Sequence, residues 1–328
     1  MFKVLKDIIK KQFILLLRVK NWFLGGLRKL DSYCAKPVPS EANVVFIIGV
    51  PRSGTTLLYQ VLVDSLDFTY INNFIEKFYA LPNTSFWLSR KFIKYYSSSF
   101  ESAFGDTSRD GLGAPCQGIS FWYKWFSKNQ IVHAQGLHDV DEKLMREMTK
   151  TIASITDRAG KPLLVKQLSF GQKLEVIHHY FPNAKYIYLE RDLLEVAQSI
   201  YNAMDRNGVG EGAMWGGQFK GYEKYLKLKK TKMIPHQVIG LKKGIEEGLN
   251  RIPKNQIMKV HYEDLCINTQ DVAQRIANFT GQSFCQNKSI YKNIKYSKKV
   301  GIPIEDYNEM ILEFHNLNEC KNVENPNS

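Results

Sequence analysis

Gly49 and Gly54 bracket four residues in the stretch NVVFIIGVPRSGTTLLYQVL, residues 43–62. An apolar run precedes them, and Leu57, Leu58, Val61, Leu62 and Leu66 follow at helical spacing. This is the frame of a phosphate-cradling loop, G-x-x-x-x-G-K-[ST], with Thr55 standing where the lysine belongs. A strand, a tight turn and a helix start aim backbone N–H groups at one point, which favours an anion. Arg52 adds a planar cationic fork suited to phosphate oxygens, and Ser53, Thr55 and Thr56 add hydroxyl and amide donors. The missing lysine is the one that reaches the terminal phosphates of a nucleoside triphosphate. The expected strands end in Ile48, Lys166, Glu190 and Val260, and none supplies a metal-binding aspartate. The loop therefore reads as a seat for the 5′ anionic group of a nucleotide, with no metal.

A second constellation lies in YIYLERDLLEVAQSIYNAM, residues 186–204. Arg191 closes an apolar strand, and Ser199 follows eight residues later on a helical pattern. An arginine fork with a hydroxyl satisfies a phosphate dianion. The plainer alternative pairs Arg191 with Glu190 or Asp192 and leaves Ser199 on a helix surface. Taken together, PRSGTTLL after its strand and the Arg191–Ser199 pair resemble the 5′-phosphosulfate loop and the 3′-phosphate site of the PAPS-dependent sulfotransferases, bacterial members in particular. The resemblance covers most of residues 43–280, strongly at these two motifs and loosely between them.

That resemblance implies a P-loop-like α/β fold. It also implies transfer of a sulfuryl group from 3′-phosphoadenosine 5′-phosphosulfate (PAPS) to a hydroxyl or amine. It makes Arg52, Ser53, Gly54, Thr55, Thr56, Arg191 and Ser199 the donor-binding residues, with Arg52 at the loop cation's place. Lys166 either reaches donor or acceptor or stands in solvent. HYEDL (261–265) resembles a further family element, in which Tyr262 and Glu263 read as structural. In-line transfer needs a base for the acceptor's proton. The resemblance points to Glu76, twenty-four residues after Arg52, with Glu101 and His133 as competitors. Where bacterial relatives commonly carry histidine–glutamate, this chain has Cys116–Gln117, and Gln117 cannot accept a proton. A catalytically inactive nucleotide-binding scaffold is thus a rival reading. A P-loop kinase is a weaker one, because Arg191 and Ser199 have no use in it.

These residues need a frame to hold them. VVFII (44–48), PLLVK (162–166), KYIYLE (185–190) and QIMKV (256–260) read as short buried strands. Helical patterns lie between them: one capped by Asp139 and running to about Arg158, then 170–180, 193–204, 235–250 and 268–280. The alternation predicts an α/β three-layer sandwich, a mainly parallel sheet of about four to five strands with helices on both faces. Ligands in such sheets bind at the carboxyl ends of the strands. Residues 43–318 form the main domain, and 319–328 read as a flexible tail. Residues 70–135, rich in aromatics and glycine, read as an insertion that recognises the acceptor, with aromatic faces and basic charge suited to a glycan, an anionic one included.

The 328 residues carry a net charge of +13, which favours anionic partners. No zinc-finger spacing or RNA-binding aromatic motif accompanies it, so nucleic acid is not an expected partner. Five cysteines, odd in number and without a C-x-x-C pair, fit neither a disulfide framework nor a zinc site. They suit a reducing compartment, and no structural metal is expected. Residues 1–42 form a basic amphipathic segment and linker. Their apolar run Phe13–Leu17 is far short of the roughly 20 residues that span a bilayer. Residues 1–30 either lie on an anionic membrane face or pack on the domain with a solvated basic side. The expected location is the cytoplasm, peripherally at the inner membrane face if the first alternative holds, with a carbohydrate or lipid-linked acceptor.

Overall fold

The computed structural model describes residues 19, 27–35, 41–93, 110–126, 133–210, 212–284, 296 and 300–323. Most of residues 1–30, the competing base Glu101, and residues 324–328 of the expected tail lie outside these. The first described helix is α1 (Arg28–Tyr33). β1 (Val44–Gly49), α2 (Thr55–Ser65), β2 (Thr69–Tyr70), α3 (Asn73–Lys77), α4 (Pro82–Phe92) and α5 (Ile119–Trp122) follow. Next come α6 (Glu142–Ala159), β3 (Leu163–Val165), α7 (Leu174–Tyr180), β4 (Lys185–Glu190), α8 (Leu193–Arg206) and α9 (Lys230–Leu249). β5 (Ile257–His261), α10 (Tyr262–Ile267), α11 (Thr269–Thr280) and α12 (Ile304–Val323) complete the order.

All six residues of β1 are buried, because the strand runs through the centre of the molecule with both faces covered. The sheet order is β2-β3-β1-β4-β5, and every pairing is parallel. Alternate β1 side chains serve different cores, as the two-residue period of a strand requires. Val44, Phe46 and Ile48 face a layer with Met145, Ile152, Ile177, Ile200 and Ile245, which come from α6, α7, α8 and α9. Val45 and Ile47 face Leu58 and Leu62 of α2 and Val272 and Ile276 of α11. This is the three-layer α/β sandwich read from the sequence. The strands number five, because two residues at Thr69–Tyr70, too short to show a pattern, add an edge to β3.

Boundaries differ in places. α6 is capped by Asp141, whose carboxylate accepts from the Leu144 amide. Asp139 instead closes a preceding turn on the amide of Gly136. α9 begins at Lys230, five residues before the expected start, and carries Pro235 inside it. The segment 170–180 divides into a 3₁₀ turn over Leu168–Gln172 and α7. α12 runs on to Val323, into the segment expected to fray.

Four aromatics of the 70–135 segment belong to the core, whereas Trp87 and Phe92 are exposed. Phe121, Trp122, Trp125 and Phe126 are buried in the core with Phe170. Burying such large rings stabilises the fold more than exposing them on a binding surface would. α4 is tied to α1 through Asp31, whose carboxylate accepts from the Asn83 and Thr84 amides. No helix among the described residues is long and apolar enough to cross a membrane.

Phe46 joins the layers, stacking on Tyr186 at 5.6 Å and meeting Phe170 and Phe181 edge-on or tilted. Phe46→Ala is expected to lower unfolding stability by about 3–5 kcal/mol. Denaturant unfolding of the two proteins checks this, and a loss below about 1 kcal/mol would mean that the site collapses around the void.

Candidate active site

The loop between β1 and α2 is shaped by two close approaches. A Cβ on Gly49 would lie 2.7 Å from Ser53 Oγ and 3.0 Å from the Leu189 carbonyl. Gly54 has φ +96°, and a Cβ there would fall 2.2 Å from the Tyr262 ring. Only glycine fits either place. The Ser53 amide donates to the Val50 carbonyl at 3.1 Å and closes the turn. Arg52 adopts φ 73°, the left-handed region that a non-glycine residue enters only when its surroundings hold it there. The start of α2 then opens onto a cleft of about 490 Å³, lined at this end by Gly49, Pro51, Arg52, Gly54, Thr55, Thr56 and Leu57, with Lys166, Arg191 and Tyr262.

Three cations meet here. Lys166, 3% exposed, donates from Nζ to Thr56 Oγ1 at 2.7 Å. Burial, and then the charge of Arg52, pulls its pKa down to about 7. Arg52 is also shifted down, by burial first and then by Arg191. Its Nε donates to Ser199 Oγ at 2.9 Å. Arg191 donates from Nη1 to the carbonyl of Arg52 at 3.0 Å. Its Nε and Nη2 lie 3.1 and 3.0 Å from Glu195 Oε2, and its guanidinium rests 4.3 Å from the centre of the Tyr262 ring. Glu195 Oε1 accepts from the Tyr296 hydroxyl at 2.9 Å. Each Nη carries a second N–H, and Arg191 lines the cleft. The fork is held by its near edge, its carbonyl contact and its face, and this fixes the direction of the far edge.

The structure brings Arg52, Gly54, Thr55, Thr56 and Arg191 to one cleft, and Ser199 joins them through Arg52. The two anion seats read from the sequence are neighbours that share a boundary, since the Arg52 side chain itself reaches Ser199. Arg191 pairs with neither Glu190 nor Asp192 but with Glu195, one helical turn on. Asp192 caps α8 instead. Ser53 differs from expectation. Its hydroxyl turns back toward Gly49, buried and without a hydrogen-bond partner, and leaves the cleft to its neighbours. Tyr262, read as structural, forms part of the cleft wall.

The candidate bases stand off the wall. The Glu76 carboxylate accepts from the Ser120 amide at 2.9 Å and lies 3.8 Å from the Cys116 thiol. Burial raises its pKa. It thus sits behind the turn whose Gln117 and Ile119 face the cleft. The His133 ring lies 6.2 Å from that of Tyr222, and its carbonyl accepts from the buried Lys173 ammonium. Among the described residues that line the cleft there is no aspartate, glutamate or histidine. No group of three or more His, Cys, Asp or Glu among the described residues is placed to hold a metal.

The rest of the lining comes from Gln167–Ser169 and Gln172 after β3, from Met214–Gln218, and from Leu241 and Ile245 of α9. Gln237, fully buried in α9, donates from Nε2 to the Trp215 and Gly217 carbonyls at 2.6 and 2.8 Å. That buried amide turns an irregular, glycine-rich stretch into a fixed wall. No periodicity marks the stretch in the sequence. The signal available was Trp215 followed directly by Gly216 and Gly217, between two helices.

A search against protein families matches residues 44–286 to the sulfotransferase family. Among solved structures, the fold is similar to sulfotransferase STF9 from Mycobacterium avium. The TM-score is 0.52 and the identity 13%, over 85% of this chain and 77% of that one. Sulfotransferase STF1 from Mycobacterium tuberculosis H37Rv aligns over 84% of this chain and 77% of its own, at 14% identity and a TM-score of 0.48. A search of curated protein sequences gives no match.

The low pKa of Lys166 has a measurable sign. With the cleft open, Lys166 loses its proton near pH 7, and an anion seated beside it raises that pKa again. Anion binding therefore takes up a proton above pH 7, and affinity falls as pH rises. Calorimetry with adenosine 3′,5′-bisphosphate should show Kd rising by up to about tenfold per unit over roughly pH 7 to 8.5. That range lies above the second titration of phosphate monoesters, near 6. The Lys166→Met protein should lose the slope. A flat profile in the unaltered protein would remove Lys166 from the anion seat.

Proposed function

The chain belongs to the sulfotransferase family, and from that membership we propose that it moves a sulfuryl group from PAPS to a hydroxyl of a carbohydrate or glycolipid acceptor. The observation that carries the proposal is the convergence of Arg52, Lys166 and Arg191 on one cleft at the N-terminus of α2. The loop amides, Arg52 and Lys166 stabilise charge on the departing 5′-phosphate. The outer edge of Arg191, with Ser199, takes the 3′-phosphate, the group that separates this donor from ATP. The acceptor oxygen attacks sulfur in line with the phosphate oxygen that leaves. Glu76 receives the proton in this proposal. Its raised pKa suits a base, and its partners Cys116 and Ser120 belong to the turn that borders the cleft.

One observation favours a second reading. The absence of a carboxylate or imidazole from the described cleft lining is what a nucleotide-binding protein without turnover would show. Two measurements separate the readings. Adenosine 3′,5′-bisphosphate should bind more tightly than ATP with magnesium, and a preference for ATP would defeat both. With PAPS and an acceptor hydroxyl that the unaltered protein sulfates, Glu76→Gln should lower kcat by about 10²–10⁴-fold with nucleotide affinity unchanged. An unaltered kcat would reduce Glu76 to an anchor for the Ser120 amide, which the glutamine carbonyl can also serve.

A lipid-linked acceptor would bring the chain to a membrane face through residues 1–30. The full chain should float with anionic vesicles, and a chain lacking residues 1–26 should not. Equal flotation of the two would exclude that contact. The shorter chain keeps Asp31 and its bonds to α4.

A further inference from the structure

We infer that the exposed face of α4 around Trp87, Lys91 and Phe92, with Tyr33 of α1 beside it, docks on the headgroup layer of an anionic bilayer. The inference is independent of the sulfotransferase reading. To the contact through residues 1–30 it adds a second one, made by the folded body. Trp87 is 38% exposed, Phe92 65% and Tyr33 84%. Single exposed apolar side chains are ordinary on a protein surface, but these are gathered. Lys91 Nζ lies 5.2 Å from the centre of the Trp87 ring and 5.4 Å from that of Phe92, so one ammonium serves both rings. Arg158 brings the end of α1 to them. It donates from Nη2 to the Cys34 carbonyl, and its own carbonyl accepts from Arg90 Nη1 at 2.6 Å.

Aromatic rings interleaved with cations suit the boundary between lipid and water. The rings settle at headgroup depth, and the cations meet lipid phosphates. The charge of this face fits that surface. From Lys77 to Phe92 the chain carries Lys77, Arg90 and Lys91 and no acid. Residues 1–30 carry eight lysines and arginines against Asp7 alone. That basic segment runs directly into α1, and Asp31 ties α1 to α4, so the two contacts are presented together. An apolar contact and a polybasic one hold a membrane jointly where either alone is marginal. A second copy of the chain fits this face less well, because a two-fold pairing would set Arg90 and Lys91 of each copy against those of the other. Cys34 and Arg158 precede β1 and β3. The face therefore lies at the end of the sheet away from the cleft, and docking leaves the cleft open.

The experiment is partitioning of the full chain onto phosphatidylglycerol–phosphatidylcholine vesicles and onto phosphatidylcholine vesicles alone. Adenosine 3′,5′-bisphosphate calorimetry and lipid-free analytical ultracentrifugation run alongside. Two variants are compared with the unaltered chain: Trp87→Ala with Phe92→Ala, and Lys91→Glu. The expected result is partitioning onto the anionic vesicles only, lowered at least about tenfold in each variant, with nucleotide Kd unchanged. Lys91 is exposed, so Lys91→Glu decides the matter alone if the double variant loses nucleotide binding. Unchanged partitioning in the variants overturns the inference and leaves the membrane to residues 1–30. Equal partitioning onto both kinds of vesicle overturns it too, as does a lipid-free dimer that the double variant abolishes. No partitioning by the full chain overturns this contact and that of residues 1–30 together. Each of these outcomes leaves the sulfotransferase reading standing.

Discussion

Mutual repulsion among Arg52, Lys166 and Arg191 is the constraint around which the cleft is arranged. Each follows a different strand, β1, β3 and β4, and those three are adjacent in the sheet. The chain passes from β1 to β2 and β3 on one side and then crosses from β3 to β4 on the other, so the cations collect where the order reverses. That is the usual ligand crevice of an open parallel sheet. The fold tolerates the crowding by partial means. Glu195 neutralises the near side of Arg191, Ser199 and Thr56 accept from Arg52 and Lys166, and burial makes Lys166 easy to deprotonate. What remains is a positive field aimed at one place, ready before any ligand arrives.

Much of this was legible in the sequence because the informative segments are local. A buried strand, a glycine-bounded turn and a helix start occupy consecutive residues, and so does the Arg191–Ser199 pair. Their geometry follows from chain connectivity, with little help from distant packing. The sheet could be read for the same reason: VVFII, LLV and KYIYLE are apolar runs too short for helices and separated by helical periods. The strand at Thr69–Tyr70 and the cap at Asp141 were not readable, since two residues carry no pattern and Asp139 competes for the cap.

The site beyond the loop was harder to read because its pieces are assembled by tertiary contact. Nothing local says that Glu195 rather than Asp192 takes Arg191, or that Tyr296 orients Glu195 from 101 positions away. Nor does composition separate a core tryptophan from one that lines the cleft. Trp122 and Trp125 sit in an aromatic-rich stretch that resembles a recognition surface and are buried, whereas Trp215 sits among glycines and lines the cleft. The inward turn of the Ser53 hydroxyl likewise depends on backbone angles that residue type leaves open.

The grip of Gln237 has an evolutionary corollary. It holds the wall through main-chain oxygens, so it is indifferent to which side chains the wall displays. Residues 214, 215 and 218 are therefore free to diversify while their scaffold stays put. A chain built this way separates what it keeps, the cationic floor at the strand ends, from a wall that it can recut without refolding.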